Sequence, residues 1–265
     1  MTTDNKAAEQ HIDLDGIPVV YLQPPDGSPT APIALWLTHL GGTKESELPA
    51  LRALAAAGHP AVSFDPPGHG ERTTKSNNQV MEWFLAGFRR RMWPLLGLYT
   101  LETLRVLDWA AAKLGSHRDF VIGGVSLGGD VVVTVASLDT RVVRVAGLVA
   151  TPDWTRPGMM RLDDPTTPVD QGEADSYSQW AYDEFEPLHH LGRYERGPLI
   201  AFECADEDSH VPPDGAERFK AALLERYPHA GRRVRVTRHP GLGHLPGVRD
   251  PKMTEAALRW LEQGD

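Results

Sequence analysis

Apolar residues along this chain come in two kinds of run that take turns. Short continuous runs recur at Ile33 to Leu37, Ala61 to Phe64, Phe120 to Ile122, Val145 to Ala150 and Leu199 to Phe202. Each has the length of a strand buried on both faces, and Ser63 alone interrupts their apolar character. Between them the period lengthens. Leu101, Leu104, Leu107, Ala111 and Leu114 recur at the spacing of one helix face. Helices are likewise predicted over Leu48 to Ala57, over Ala216 to Tyr227 and over Thr254 to Leu261. Another follows Ser126, with Leu127, Val131, Val132, Val133 and Val135. Arg233 to Thr237 reads as a further strand. Ahead of this series, His11 to Leu22 alternates as a strand or hairpin turning at Asp15-Gly16. Pro24-Pro25-Asp26-Gly27 reads as a turn, and residues 1–10 as a disordered tail. Strands and helices thus alternate from about residue 33 to the end. That order predicts an α/β fold, a mostly parallel sheet with helices on both faces.

Two stretches break the alternation. Residues 72–100 are rich in Trp, Phe, Met and Arg, and residues 152–196 are irregular and carry Trp154, Tyr177, Trp180, Tyr182 and Phe185. Both follow strand ends, where ligands bind in open α/β sheets. They are expected to form a small lid over a site, with Trp154 and Trp180 in the wall of a substrate pocket. Residues 1–265 are accordingly expected to make one domain.

Composition narrows the partners. The formal net charge is −9 over 265 residues. That argues against nucleic acid or an anionic membrane surface, because both need a basic footprint. Arg89-Arg90-Arg91 lies inside an apolar-periodic stretch and reads as a solvated helix face. The single cysteine, Cys204, permits no intramolecular disulfide and no cysteine-based metal site. The first ten residues lack the apolar core of a signal peptide, and no run approaches the ~18 apolar residues of a membrane span. A cytoplasmic protein acting on a small molecule is expected.

The sharpest chemical signal is Gly124-Val125-Ser126-Leu127-Gly128, of the form G-x-S-x-G, between a predicted strand and a predicted helix. A serine on so tight a turn holds a strained backbone, and small residues on either side avoid a clash. Its hydroxyl then stands beside a helix N-terminus, where backbone N–H groups favour negative charge. A serine hydroxyl is a weak nucleophile that needs a neighbouring base, and the base needs an orienting carboxylate. The chain order Ser, acid, His points to two later strand ends. One carries Asp206-Glu207-Asp208-Ser209-His210-Val211-Pro212, the other His239-Pro240-Gly241-Leu242-Gly243-His244. A solvated acidic loop is the plainer reading of the first, and Asp153 is an alternative acid after an earlier strand. His189-His190 has no partner at metal-ligand spacing, and Gly123-Gly124 lacks the rest of a dinucleotide fingerprint. Neither a metal nor a cofactor is expected.

With these motifs in this order, the chain resembles the α/β-hydrolase superfamily over nearly its whole length. Ala205 to Pro212 matches that superfamily's G-x-x-D-x-x-V-P loop, which puts the acid at Asp208. Gly243-His244 matches the G-H pair that carries its base. Asp65-Pro66-Pro67-Gly68-His69-Gly70 looks like its D-x-x-G-H-G loop. The continuing Glu71-Arg72 is similar to small bacterial serine carboxylesterases of the dienelactone hydrolase-like branch. Thr38-His39-Leu40-Gly41-Gly42 resembles the H-G-x oxyanion loop, with Leu40 standing where Gly is usual. The resemblance implies a Ser126–His244–Asp208 triad, an oxyanion hole from the N–H groups of Leu127 and of Gly41 or Leu40, and a substrate contact at Leu40. The activity it implies is cleavage of a carboxylic ester through an acyl-enzyme, without a cofactor. Lactone, thioester and C–C hydrolysis use the same machinery. A receptor or scaffold with a vestigial triad is the non-enzymatic alternative.

Overall fold

The computed structural model describes residues 8–25, 31–115 and 119–263. Eight strands form one sheet: β1 (Glu9–Asp13), β2 (Pro18–Leu22), β3 (Ile33–Leu37), β4 (Ala61–Phe64), β5 (Phe120–Val125), β6 (Val142–Leu148), β7 (Leu199–Ala205) and β8 (Val234–His239). They stand side by side in the order β1-β2-β4-β3-β5-β6-β7-β8. β2 pairs antiparallel with β1 and with β4, and every pairing from β4 to β8 is parallel. The α/β class expected from the alternation of runs is the class observed.

The continuous apolar runs have a direct cause. Along β3, Ile33, Leu35 and Leu37 enter one core while Ala34 and Trp36 enter the other. Successive side chains of a strand point to opposite faces, so a sheet covered on both sides leaves no polar position. The first core lies under α3 (Phe88–Leu114), α4 (Leu127–Leu138) and α6 (Asp214–Arg226). The second lies under α1 (Leu48–Ala56) and α9 (Pro251–Gln263). Shorter helices complete the chain: α2 (Asn77–Leu85), α5 (Ser176–Phe185), α7 (Pro228–Gly231) and α8 (His244–Val248). Among the described residues no helix is long and apolar enough to cross a membrane.

Several expectations shift in detail. β1 starts at Glu9, so the tail expected over residues 1–10 ends earlier, and residues 1–7 lie outside the described residues. Asp26 and Gly27 of the expected turn also lie outside them. The hairpin turn falls where expected: Asp15 and Gly16 both have positive φ, 52° and 84°, and Gly16 N–H donates to Asp13 Oδ1 over 2.7 Å. The first insertion is shorter than expected. α3 begins at Phe88 and runs 27 residues straight through Pro94. Phe88, Met92, Trp93, Leu95, Leu96 and Tyr99 are buried in the core, and that packing outweighs the backbone bond the proline removes. Only α2 remains as an element lying over the strand ends. In the second stretch, an irregular segment leads to α5 and a 3-10 helix at Pro187–Tyr194.

Candidate active site

Ser126 follows β5 and caps α4 with φ 50° and ψ −112°, a strained conformation for a residue with a side chain. The surroundings over-determine it. Ser126 N–H donates to the Leu148 carbonyl on β6 over 2.8 Å, and Asp130 N–H returns to the Ser126 carbonyl over 3.0 Å. A Cβ at Gly124 would come within 2.5 Å of the Gly128 backbone, and one at Gly128 within 2.4 Å of the Leu37 carbonyl. The two glycines of the pentapeptide are therefore required by close approach of strand, turn and helix.

His244, the first residue of α8, faces the serine, with its Nε2 3.1 Å from Ser126 Oγ. Its Nδ1–H donates to Asp208 Oδ2 over 2.6 Å. The carboxylate is itself fixed, because Asp208 Oδ1 accepts the N–H groups of His210 (2.9 Å) and Val211 (2.7 Å). Three residues drawn from the ends of β5, β7 and β8 are thus joined in one hydrogen-bonded chain. Asp153, the alternative acid, is engaged elsewhere. Its carboxylate accepts from Thr155 and pairs with Arg218. Asp206 pairs with Arg238 on the surface.

A cavity of about 520 Å³ opens over Ser126. Trp36, His39, Leu40 and Gly41 form one wall, and Asn77, Met81 and Leu85 of α2 another. Arg156, Leu162, His210 and Leu245 are also among its lining residues. Leu127 begins α4, so its N–H has no intrahelical acceptor. Gly41 has φ 79°, and a Cβ there would lie 2.7 Å from Met81 Cγ and 3.0 Å from the Asn77 carbonyl. α2 therefore rests directly on the Thr38–Gly42 loop.

The expected aromatic wall is not there. Trp154 is fully buried in the core, and its carbonyl accepts Trp93 Nε1–H over 3.1 Å. Trp180 is 51% exposed on α5, stacked on Tyr177 and edge-on to Phe185. Neither lines the cavity. Aromatic rings on an irregular segment can anchor it to the domain as well as face a ligand, and these rings bind the 152–196 stretch to itself and to α3.

Other groups carry the site without a sequence signal. Glu47 is buried in the cavity wall, where its Oε2 accepts Trp36 Nε1–H over 2.8 Å. Burial pushes its carboxyl up to about 7. Its Oε1 lies 3.9 Å from His39 Nδ1. His39 is held below its ordinary value by burial first, then by His244 and Arg249. Behind the serine, Asp130 and Arg156 form a buried ion pair, and Asp130 Oδ1 accepts Thr151 N–H over 2.7 Å. That pair ties the loop after β6 to the first turn of α4.

The D-x-x-G-H-G segment is a structural hub. The Asp65 carboxylate accepts Lys44 N–H (2.9 Å), Lys44 Nζ (3.2 Å) and Glu71 N–H (2.9 Å). His69 Nδ1–H donates to the Pro67 carbonyl over 2.9 Å and so tethers the loop to itself. Among the described residues, no group of three or more His, Cys, Asp or Glu side chains is placed to hold a metal ion.

Neither a family model nor a curated protein sequence matches the chain. Solved structures do. TT1662 from Thermus thermophilus aligns with a TM-score of 0.70 and 25% identity over 97% of each chain. A protein from Klebsiella pneumoniae subsp. pneumoniae assigned as a dienelactone hydrolase gives a TM-score of 0.67 at 16% identity, covering 97% of this chain and 98% of that one. Est1E from Butyrivibrio proteoclasticus, solved with ferulic acid bound, gives 0.62 at 18% identity over 95% and 97% of the two chains.

Proposed function

The chain has the α/β-hydrolase fold, and from that premise we propose that it is a serine hydrolase cleaving carboxylic esters of small acyl substrates. Ser126 Oγ attacks the acyl carbonyl while His244 Nε2 takes its proton. Asp208 keeps the hydrogen of His244 on Nδ1 and stabilises the imidazolium that forms. The N–H groups of Leu127 and Gly41 donate to the tetrahedral oxyanion and stabilise the negative charge that develops on its oxygen. His244 then protonates the leaving alcohol. Water, activated by the same histidine, attacks the acyl-enzyme and releases the acid, so the cycle needs no cofactor.

The observation that supports this reading most is the chain Ser126 Oγ to His244 Nε2 (3.1 Å) and His244 Nδ1 to Asp208 Oδ2 (2.6 Å), opening on the cavity. Apolar Leu40, Met81, Leu85 and Val248 share the lining with Glu47, Arg249 and the Asp130-paired Arg156, a mix that suits a neutral or largely apolar acyl group over a polyanion. An acidic chain with one buried thiol, Cys204, agrees with a one-domain cytoplasmic enzyme acting on a small molecule. The test is turnover of a p-nitrophenyl ester series from acetyl to octanoyl by the protein and by Ser126→Ala. The variant should be slower by roughly 10³-fold or more. Equal rates for the two proteins would end the proposal.

A further inference from the structure

His210 stands two residues past Asp208 and is buried, only 6% exposed. Its ring lies 5.1 Å from that of His244, tilted by 60°, and it lines the cavity over Ser126. The mechanism above gives it no part. Its hydrogen is nevertheless fixed by geometry. His210 Nδ1 is 2.8 Å from the Met160 carbonyl oxygen. A carbonyl can only accept, so Nδ1 carries the hydrogen, and in the neutral ring Nε2 is a bare acceptor. Nε2 makes no hydrogen bond to a described residue, and the side chain lines the cavity.

The anchor is rigid at both ends. Met160 N–H donates to the Ser209 carbonyl over 2.8 Å, and Met160 forms an antiparallel bridge with Pro168. His210 N–H donates to Asp208 Oδ1, so the carboxylate that orients His244 also fixes the His210 backbone. Its surroundings keep the ring neutral. Burial first, and then the neighbouring His244 and Arg156, push it down to about 3. Asp208, the carboxylate beside it, is already engaged with His244 and two backbone N–H groups.

We propose that His210 is a specificity-determining residue, a fixed hydrogen-bond acceptor that selects esters carrying an O–H or N–H donor on a carbon one or two bonds from the scissile ester group. The proposal rests on the serine hydrolase reading. A substrate with such a donor pairs Nε2. One without it covers the nitrogen with carbon and leaves a buried acceptor unpaired, which is the situation in which polar sites discriminate best. The irregular 152–196 segment thereby gains a role: through Met160 it sets which nitrogen of His210 faces the substrate.

Two matched pairs differing only by hydroxyl for methyl test it. On the acyl arm these are p-nitrophenyl 2-hydroxypropanoate and 2-methylpropanoate, and on the alcohol arm 2-hydroxyethyl and propyl butyrate. The readout is the ratio of kcat/KM within each pair, so that any common loss cancels. In at least one pair the hydroxyl-to-methyl ratio of the unaltered protein should exceed that of His210→Phe by about three- to tenfold. His210→Gln, whose side-chain carbonyl still accepts, should recover part of the ratio. Ratios in His210→Phe equal to those of the unaltered protein overturn the proposal. Absence of Ser126-dependent turnover on all four esters overturns the hydrolase reading and this proposal with it. Side-chain 15N–1H correlation spectra give an independent readout should the Phe variant not fold. They should show His210 with hydrogen on Nδ1 and none on Nε2 from pH 5 to 9. A hydrogen on Nε2, or a titration of His210 within that window, contradicts the assignment.

Discussion

Replacing Asp208 by Asn changes one atom pair and should nearly abolish turnover. In the protein Oδ2 takes His244 Nδ1–H at 2.6 Å, while Oδ1 takes the N–H groups of His210 and Val211 at 2.9 and 2.7 Å. An Asn oxygen has two lone pairs and can keep both backbone donors, so the loop should hold. Its NH2 group then faces His244 Nδ1–H, donor against donor. The conflict is relieved when the imidazole hydrogen moves to Nε2. That tautomer aims a hydrogen at Ser126 Oγ, 3.1 Å away, and cannot take the serine's proton. The imidazolium also loses its counter-charge. The expected loss in kcat is about 10⁴-fold, or about 5 kcal/mol of barrier. Asp153→Asn should cost less than about tenfold, because that carboxylate serves Thr155 and Arg218. Steady-state hydrolysis of p-nitrophenyl acetate at pH 8, with thermal melts to confirm folding, measures both. An Asp208→Asn variant within tenfold of the parent, or a severe Asp153→Asn, would refute the reasoning.

Three further outcomes follow from the same geometry. Glu47 has a carboxyl raised from 4.5 to about 7, so between those values it keeps its proton folded and loses it unfolded. Its contribution is present below pH 4.5 and lost as pH rises through 7, a change on the order of 3 kcal/mol. Glu47→Gln, which still accepts from Trp36, should gain stability relative to the parent by about that amount between pH 4.5 and 8. Urea unfolding at both ends checks it, and a pH-independent difference contradicts it. Gly41→Ala should lower kcat more than it raises KM, because φ 79° and the Met81 contact force the Thr38–Gly42 loop to move. Unchanged kcat would remove Gly41 from the oxyanion hole. Trp154→Ala should cost about 3–5 kcal/mol of stability and leave the acyl-chain preference alone, whereas Trp180→Ala should change neither. A shift of chain preference in either would return the aromatic segment to the pocket wall.

The sheet was legible because its strands are buried twice over. The run Ile33 to Leu37 has no polar position and Ala61 to Phe64 only the buried Ser63, and β3 and β4 occupy those residues. The start of α3 was not, because Pro94 and the arginines at 89–91 mask the helical spacing of Phe88, Met92, Leu95, Leu96 and Tyr99. Ser126, Asp208 and His244 stand at strand ends inside short motifs, so their convergence could be anticipated from order and turn chemistry. The wall of the cavity could not. Which aromatics face a ligand and which fasten a segment depends on how the segment folds back, and nothing in the local sequence of Trp154 records the Trp93 indole beneath it. Glu47 was equally silent, and His210, although it lies in the segment that carries the acid, owes its character to burial and to a partner distant in sequence, Met160.

The account stands or falls on Ser126 as nucleophile, and covalent labelling tests that most directly. A fluorophosphonate should modify the native protein at one site, with peptide mass spectrometry placing the adduct on the tryptic peptide containing Ser126. Ser126→Ala should take no label, and Asp208→Asn should label far more slowly. An adduct on a different serine, or a native protein that hydrolyses esters yet takes no label, would contradict the mechanism.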